Sequence, residues 1–219
     1  MVQSVVPLGV GIALSPAVIL AAIMILLSAR PRAASAGLLL GWAAGIVLTA
    51  TLFAVLASTV WAVDPAAAER IEGVIAIVIG AVLLVLAVVQ WRRRPRPGQP
   101  VALPRWLAVV ETLDARRAAA LGFALLVINP KNLVLAIAAG AASGSAVSGA
   151  GVALSVAVFA LVAVSTVAVP VGGYAVLGGR LSEPLSRLRG WLVRHSAVFV
   201  LVVLLVLGAG MIVSGIQAL

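Results

Sequence analysis

The chain reads as an all-α membrane protein: six transmembrane helices in two inverted three-helix repeats. Three observations predict it: apolar residues in long blocks, basic residues confined to one set of connections, and a proline at the same place in each half. Of 219 residues, 64% are hydrophobic and 10% charged, with a mean hydropathy of +1.27. A soluble domain has about 45–50% and about 25%. A soluble monomer, a disordered tail and a disulfide scaffold are excluded together, the last because there is no Cys.

A bilayer-crossing helix needs about 20 mostly apolar residues. Six such blocks are expected near Val5–Ser28, Ser35–Val60, Ile71–Trp91, Ala118–Ala142, Ala150–Tyr174 and Ser196–Leu219. No basic segment precedes the first, and Arg30 and Arg32 follow it, which is not the pattern of a cleavable signal peptide. The chain therefore divides into a first repeat (1–91), an Arg-rich connection (92–117) and a second repeat (118–219). The connections are too short for a separate soluble domain.

The net charge is +9, and thirteen of the fifteen basic residues lie in alternate connections. These are Arg30 and Arg32 after span one, seven Arg from Arg92 to Arg117 after span three, and Arg180, Arg187, Arg189 and Arg194 after span five. Topology explains this charge without nucleic acid, and no nucleic-acid partner is expected. By the positive-inside rule the Arg connections are cytoplasmic and both termini lie outside. Arg, Ala, Val and Gly richness suggests a GC-rich bacterial genome, so a bacterial cytoplasmic membrane is the expected setting.

Two cytoplasmic connections carry amphipathic patterns. Leu181, Leu185, Leu188 and Leu192 recur at helical spacing between arginines, with Ser182 as cap, Pro184 in the first turn and Trp191 at the interface. This reads as a short helix lying at the lipid headgroups. Trp106, Val110 and Leu113 suit the same arrangement. The partners so implied are anionic membrane lipids.

Aligning Pro16 with Pro130 places Ser15 on Asn129, Ala22 on Ala136 and Ile23 on Ile137. Each proline falls mid-span in the first helix of a three-span set. Three is odd, so the second set inserts upside down, as in transporters whose interrupted helices meet near the midplane. Pro16 and Pro130 lack the N–H that would bond the carbonyls of Ile12 and Leu126. In lipid such carbonyls need protein, water or ligand. Ser15 and Asn129 are placed to reach them. One such kink alone would read as packing; two at matching places in the two halves favour a pathway.

Lys131, the only Lys, lies about 20 Å beyond Arg117 along a straight helix, near the membrane centre. All six acids (Asp64, Glu69, Glu72, Glu111, Asp114 and Glu183) fall in connections. Lys131 is then held by carbonyls, by Asn129 or Asn132, or by hydroxyls such as Ser15, Thr49, Thr51, Ser165 and Thr166. Otherwise it is uncharged, or it awaits an anion. The absence of intramembrane carboxylates disfavours metal export and carboxylate-driven proton exchange. A lone buried cation suits a carboxylate, phosphate or sulfate group. The plainer alternative is a Lys that pins spans one and four together.

Gly37, Gly41 and Gly45 share one face of span two and allow close helix packing, within the chain or at a homodimer seam. Gly140 with Gly144, and Pro170 with Gly172 and Gly173, read similarly, the latter also as a hinge. His195 beside Arg194 reads as a solvated flank. No metal ligand set, cofactor motif or catalytic constellation is found, so no enzyme activity, metal or cofactor is expected.

Asn129-Pro130-Lys131-Asn132 opening the second half, with Leu14-Ser15-Pro16 in span one, resembles the lysine exporter (LysE) superfamily of bacterial efflux proteins. Arg30-Pro31-Arg32, Gly41-Trp42, Pro104-Arg105-Trp106 leading to Asp114, and Gly122 through Leu133 look like its GAP branch. That branch includes the glycopeptidolipid- and sulfolipid-addressing proteins of mycobacteria. The resemblance implies outward movement of a small molecule or lipid conjugate. Amino-acid exporters typically have Pro-Gly-Pro where this chain has Leu-Ser-Pro, which shifts weight towards the lipid-addressing branch.

The expected site lies between spans one and four, formed by Ser15, Pro16, Asn129, Pro130, Lys131 and Asn132. Lys131 would bind the anionic group of the substrate. Two alternatives stand beside it: a non-transporting scaffold of a lipid export or biosynthetic machine, and an amino-acid exporter.

Overall fold

The computed structural model describes residues 2–28, 31–63, 65–92, 109, 110, 112–146 and 148–219. Among these the regular structure is entirely helical. In chain order the helices are α1 (Val2–Ala13), α2 (Pro16–Leu26), α3 (Pro31–Val63), α4 (Pro65–Arg92), α5 (Ala115–Val127), α6 (Pro130–Gly144), α7 (Gly149–Leu177) and α8 (Ser182–Gln217). A 3-10 turn at Gly178–Leu181 joins the last two.

Three stretches are long and apolar enough to cross a membrane: Pro31–Ala62, Arg70–Arg92 and Gly149–Gln217. Two bent pairs raise the number to five, namely Ser4–Ala13 with Pro16–Leu26 (51°) and Ala115–Val127 with Pro130–Gly144 (74°). The outward surface supports a membrane setting. Val85, Leu161 and Val206 are each more than 60% exposed along α4, α7 and α8. Continuous apolar faces of that kind are stable against lipid and costly in water.

Helix α2 is different, because it is apolar all round and buried nearly all round, from Val18 through Leu26. A helix of that composition belongs inside a bundle. The core around it includes Ile12, Leu38, Trp42, Leu126, Leu135 and Phe159, all fully buried.

Small residues decide how the helices approach one another. Helix α3 packs along α5 and α6, while α7 packs along α1 and α2. A methyl added to Gly37 or Gly41 would strike the carbonyl oxygen of Ala115 or Ala119, so α3 and α5 touch backbone to backbone. Helices α4 and α8 form the other long contact. There, a methyl on Gly73 would lie 3.0 Å from the Gly215 carbonyl oxygen, and one on Gly80 would lie 2.7 Å from that of Gly208. Because the higher number pairs with the lower, the two helices run antiparallel. The same Gly-x6-Gly spacing on each makes the crossing locally two-fold.

Several expectations change. Neither first span of a half is one kinked helix; each is two helices separated at the proline. The expected headgroup helix is the beginning of α8, which runs unbroken for 36 residues, about 54 Å. Leu185 and Leu192 are buried there, so half of the leucine stripe serves the protein core. Leu181 rather than Ser182 occupies the cap position, with no side-chain cap. No hinge breaks α7, which continues through Pro170 and both glycines. Trp106 and most of the Arg-rich connection, including Arg93, Arg94, Arg96 and Arg105, lie outside the described residues.

Candidate functional site

The two breaks have the same local construction. Ser15 (φ −99°, ψ 103°) and Asn129 (φ −82°, ψ 108°) are both extended, and Pro16 and Pro130 each begin a new helix. A residue before proline is pushed out of the helical region, and proline fits the first helical position, whose N–H is unbonded anyway. The prolines therefore start helices instead of kinking them.

The side-chain donors reach carbonyls one residue earlier than the two that the prolines leave free. Once Ser15 and Asn129 turn away, their own N–H groups leave the preceding helix. The carbonyls that take side-chain donors are those of Gly11 and Leu125, not of Ile12 and Leu126. Gly11 precedes Pro16 by the same five residues as Leu125 precedes Pro130.

Their partners come from the start of α6. The Lys131 Nζ donates to the Gly11 carbonyl at 2.6 Å, and Lys131 is only 5% exposed. Gly11 lies in the last turn of α1, where the helix dipole places partial negative charge that favours an ammonium. Asn132 is fully buried and donates through Nδ2 to the Leu125 carbonyl at 3.2 Å and to the Ser15 Oγ at 3.3 Å. Asn129 turns its Oδ1 to its own helix, accepting from the Lys131 backbone N–H at 3.2 Å.

The structure thus brings Ser15, Lys131 and Asn132 together inside the bundle, beside the buried Pro16. Asn129 is half-buried, and Pro130 is exposed next to Ile128, which is 78% exposed. The side chains expected to reach freed carbonyls, Ser15 and Asn129, do other work: one accepts from Asn132 and the other caps α6. The straight-helix depth of Lys131 also falls away, because the chain bends by 74° between α5 and α6.

Two features mark the site as unusual. Among the described residues Lys131 forms no ion pair. Among the same residues the Asn132 Oδ1 is buried without a hydrogen-bond partner. The contact with Leu125 sets this orientation, because turning the amide over would press Oδ1 against that carbonyl oxygen. A buried acceptor left unpaired is costly and calls for an explanation in a native structure.

Other residues raised by the sequence fall into supporting positions. The glycines of α3 face inward, with Gly45 against Leu126 and Phe123. Trp42 is fully buried and donates through Nε1 to the Ala163 carbonyl at 3.3 Å, joining α3 to α7. His195 is exposed and stacks on Trp191, with ring centroids 4.9 Å apart. Sequence reasoning missed Gly11 and Leu125, because a backbone carbonyl has no signature. It also passed over Gly73, Gly80, Gly208 and Gly215, although their equal spacing was visible.

The fold and the two proline breaks define a multi-helical membrane protein with an interrupted helix in each half of the chain. Its family follows from comparison: residues 5–217 match the family model described as Sap, sulfolipid-1-addressing protein. The chain belongs to that family, the lipid-addressing branch that the motifs around Pro16 and Lys131 resemble. No significant match is found among curated proteins or solved structures.

Proposed function

We propose that this protein exports, or helps to export, a small molecule or a glyco- or sulfolipid conjugate across a bacterial cytoplasmic membrane. Membership of the sulfolipid-addressing family supports a lipid-related role. The finer reading is a six-span inverted repeat of the lysine exporter type, with both termini outside and a site between the two broken helices.

The observation that carries this reading is the buried ammonium of Lys131, seated on a single carbonyl dipole where two helix breaks meet. An ammonium has three donors, and the Gly11 carbonyl engages one. In a medium of low dielectric, a sulfate, phosphate or carboxylate would outcompete a carbonyl for such a group. Lys131 would take the anionic group, Asn132 and Ser15 would orient it, and movement of one half against the other would alternate access.

The six-span repeat draws support from exchanged packing. Helix α3 of the first half lies along the broken pair of the second, and α7 of the second lies along the broken pair of the first. The locally two-fold α4–α8 crossing fits the same symmetry. Helices α7 and α8, each far longer than a single span needs, supply the fifth and sixth crossings.

The test compares surface lipids and secreted metabolites, by untargeted mass spectrometry, in a deletion strain rescued by wild type or by Lys131→Met. Both versions are matched for amount in the membrane. The expected result is a species that leaves the cell only with wild type. If Lys131→Met exports equally, Lys131 is a pin between α1 and α6, and the scaffold alternative takes over.

A further inference from the structure

Helices α1, α4, α6 and α8 line a half-open cavity of about 430 Å³. That is within the usual range for small-molecule sites, about 300–1,000 Å³. Its polarity is graded along its length. Leu8, Ile79 and Leu207 line the inner part, whereas Ser4, Glu72 and Ser214 lie one to two helical turns farther out. Alanines of α6, including Ala138 and Ala142, leave one wall shallow.

We infer that this cavity is a binding site for one hydrocarbon chain of a lipid, with the lipid's polar end at the level of Ser4, Glu72 and Ser214. An apolar cavity offers water few partners, and a void forfeits the dispersion contacts of its lining. Within a bilayer the abundant species that satisfies both conditions is an acyl chain. The polar groups at one end match the amphipathic shape of a lipid standing along the helices. A ligand of uniform polarity would not use that gradient.

The cavity also adjoins the site built on Lys131. Its lining residue Leu207 packs so closely on Gly11 that a methyl there would strike the Leu207 side chain. Gly11 is the residue whose carbonyl holds Lys131. The choice of a lipid rests on the export reading, but occupancy of the cavity is measured separately from export.

The full chain is reconstituted in vesicles of phosphatidylcholine and phosphatidylglycerol. The vesicles contain phosphatidylcholine with a diazirine at the end of one acyl chain. After irradiation, adducts are mapped by peptide mass spectrometry. Labelling should concentrate on segments 4–8, 72–79 and 206–214 and exceed that around the outward-facing Leu161. Ala138→Phe should reduce cavity labelling at least fivefold while leaving Leu161 labelling unchanged. Ala142→Leu on the same wall provides a gentler filling variant if Ala138→Phe is not monodisperse. Lys131→Met should label like wild type whether or not it exports, which separates the two proposals. Cavity labelling no stronger than at Leu161, or unchanged by filling, overturns the inference.

Discussion

Asn132 of α6 donates to the hydroxyl oxygen of Ser15, 117 residues away, and so ties the break in one half of the chain to the break in the other. The same Nδ2 closes the last turn of α5 through the Leu125 carbonyl. Asn132→Ala removes both bonds and leaves a buried carbonyl unpaired, a loss of about 1–3 kcal/mol. Ser15→Ala deletes one bond and should cost less. Unfolding in mixed detergent–dodecyl sulfate micelles gives both values. Equal losses would mean that the Leu125 contact contributes nothing.

Close approach of α3 and α5 makes a second prediction. Gly41→Leu forces a side chain against the Ala119 backbone, which cannot retreat without moving the helix. Overpacking of this kind costs about 1–3 kcal/mol. Gly190 of α8 meets nothing within 4 Å. Gly190→Ala should therefore be neutral or stabilising by up to about 1 kcal/mol through reduced backbone freedom of the unfolded chain. The pair shows whether glycine matters for space or merely for composition.

Trp42 offers a graded test. Trp42→Phe keeps most of the buried ring but removes the donor to the Ala163 carbonyl. Hydrogen bonds between membrane helices average about 0.6 kcal/mol and reach about 1.7 kcal/mol, so a loss in that range is expected. Trp42→Ala empties a fully buried site and should cost about 3–5 kcal/mol. Thermal unfolding of the purified protein separates the two.

The α4–α8 crossing predicts coupling. Gly80→Ala and Gly208→Ala each add a methyl at 3.0 Å or less from the facing carbonyl, so each must part the helices. Once parted, they accept the second methyl at less cost. The double variant should be less destabilised than the two single effects added, by about 0.5–3 kcal/mol, as found for residues in contact. Strict additivity would show that the helices do not move as units.

Much of this was legible locally. Pro16 and Pro130 announced both helix breaks, because a missing N–H and a constrained preceding residue act within a few bonds. Lys131 stood out because no carboxylate lies in its apolar block. The refinement from Ile12 and Leu126 to Gly11 and Leu125 needed the actual turn at each break. Which half of the leucine stripe is buried likewise needed the position of α8 against the bundle.

The sequence by itself determined the helices, their apolar character, the arginine-bearing ends and the two interruptions. Each follows from the covalent chemistry of single residues or from transfer of a short segment out of water. Only the tertiary structure decided that Lys131 meets Gly11, that Asn132 meets Ser15, and that Gly80 meets Gly208. It also decided that four helices leave an apolar cavity between them. Those outcomes depend on the packing of side chains more than a hundred residues apart, where many weak contacts select one arrangement and no single residue specifies it.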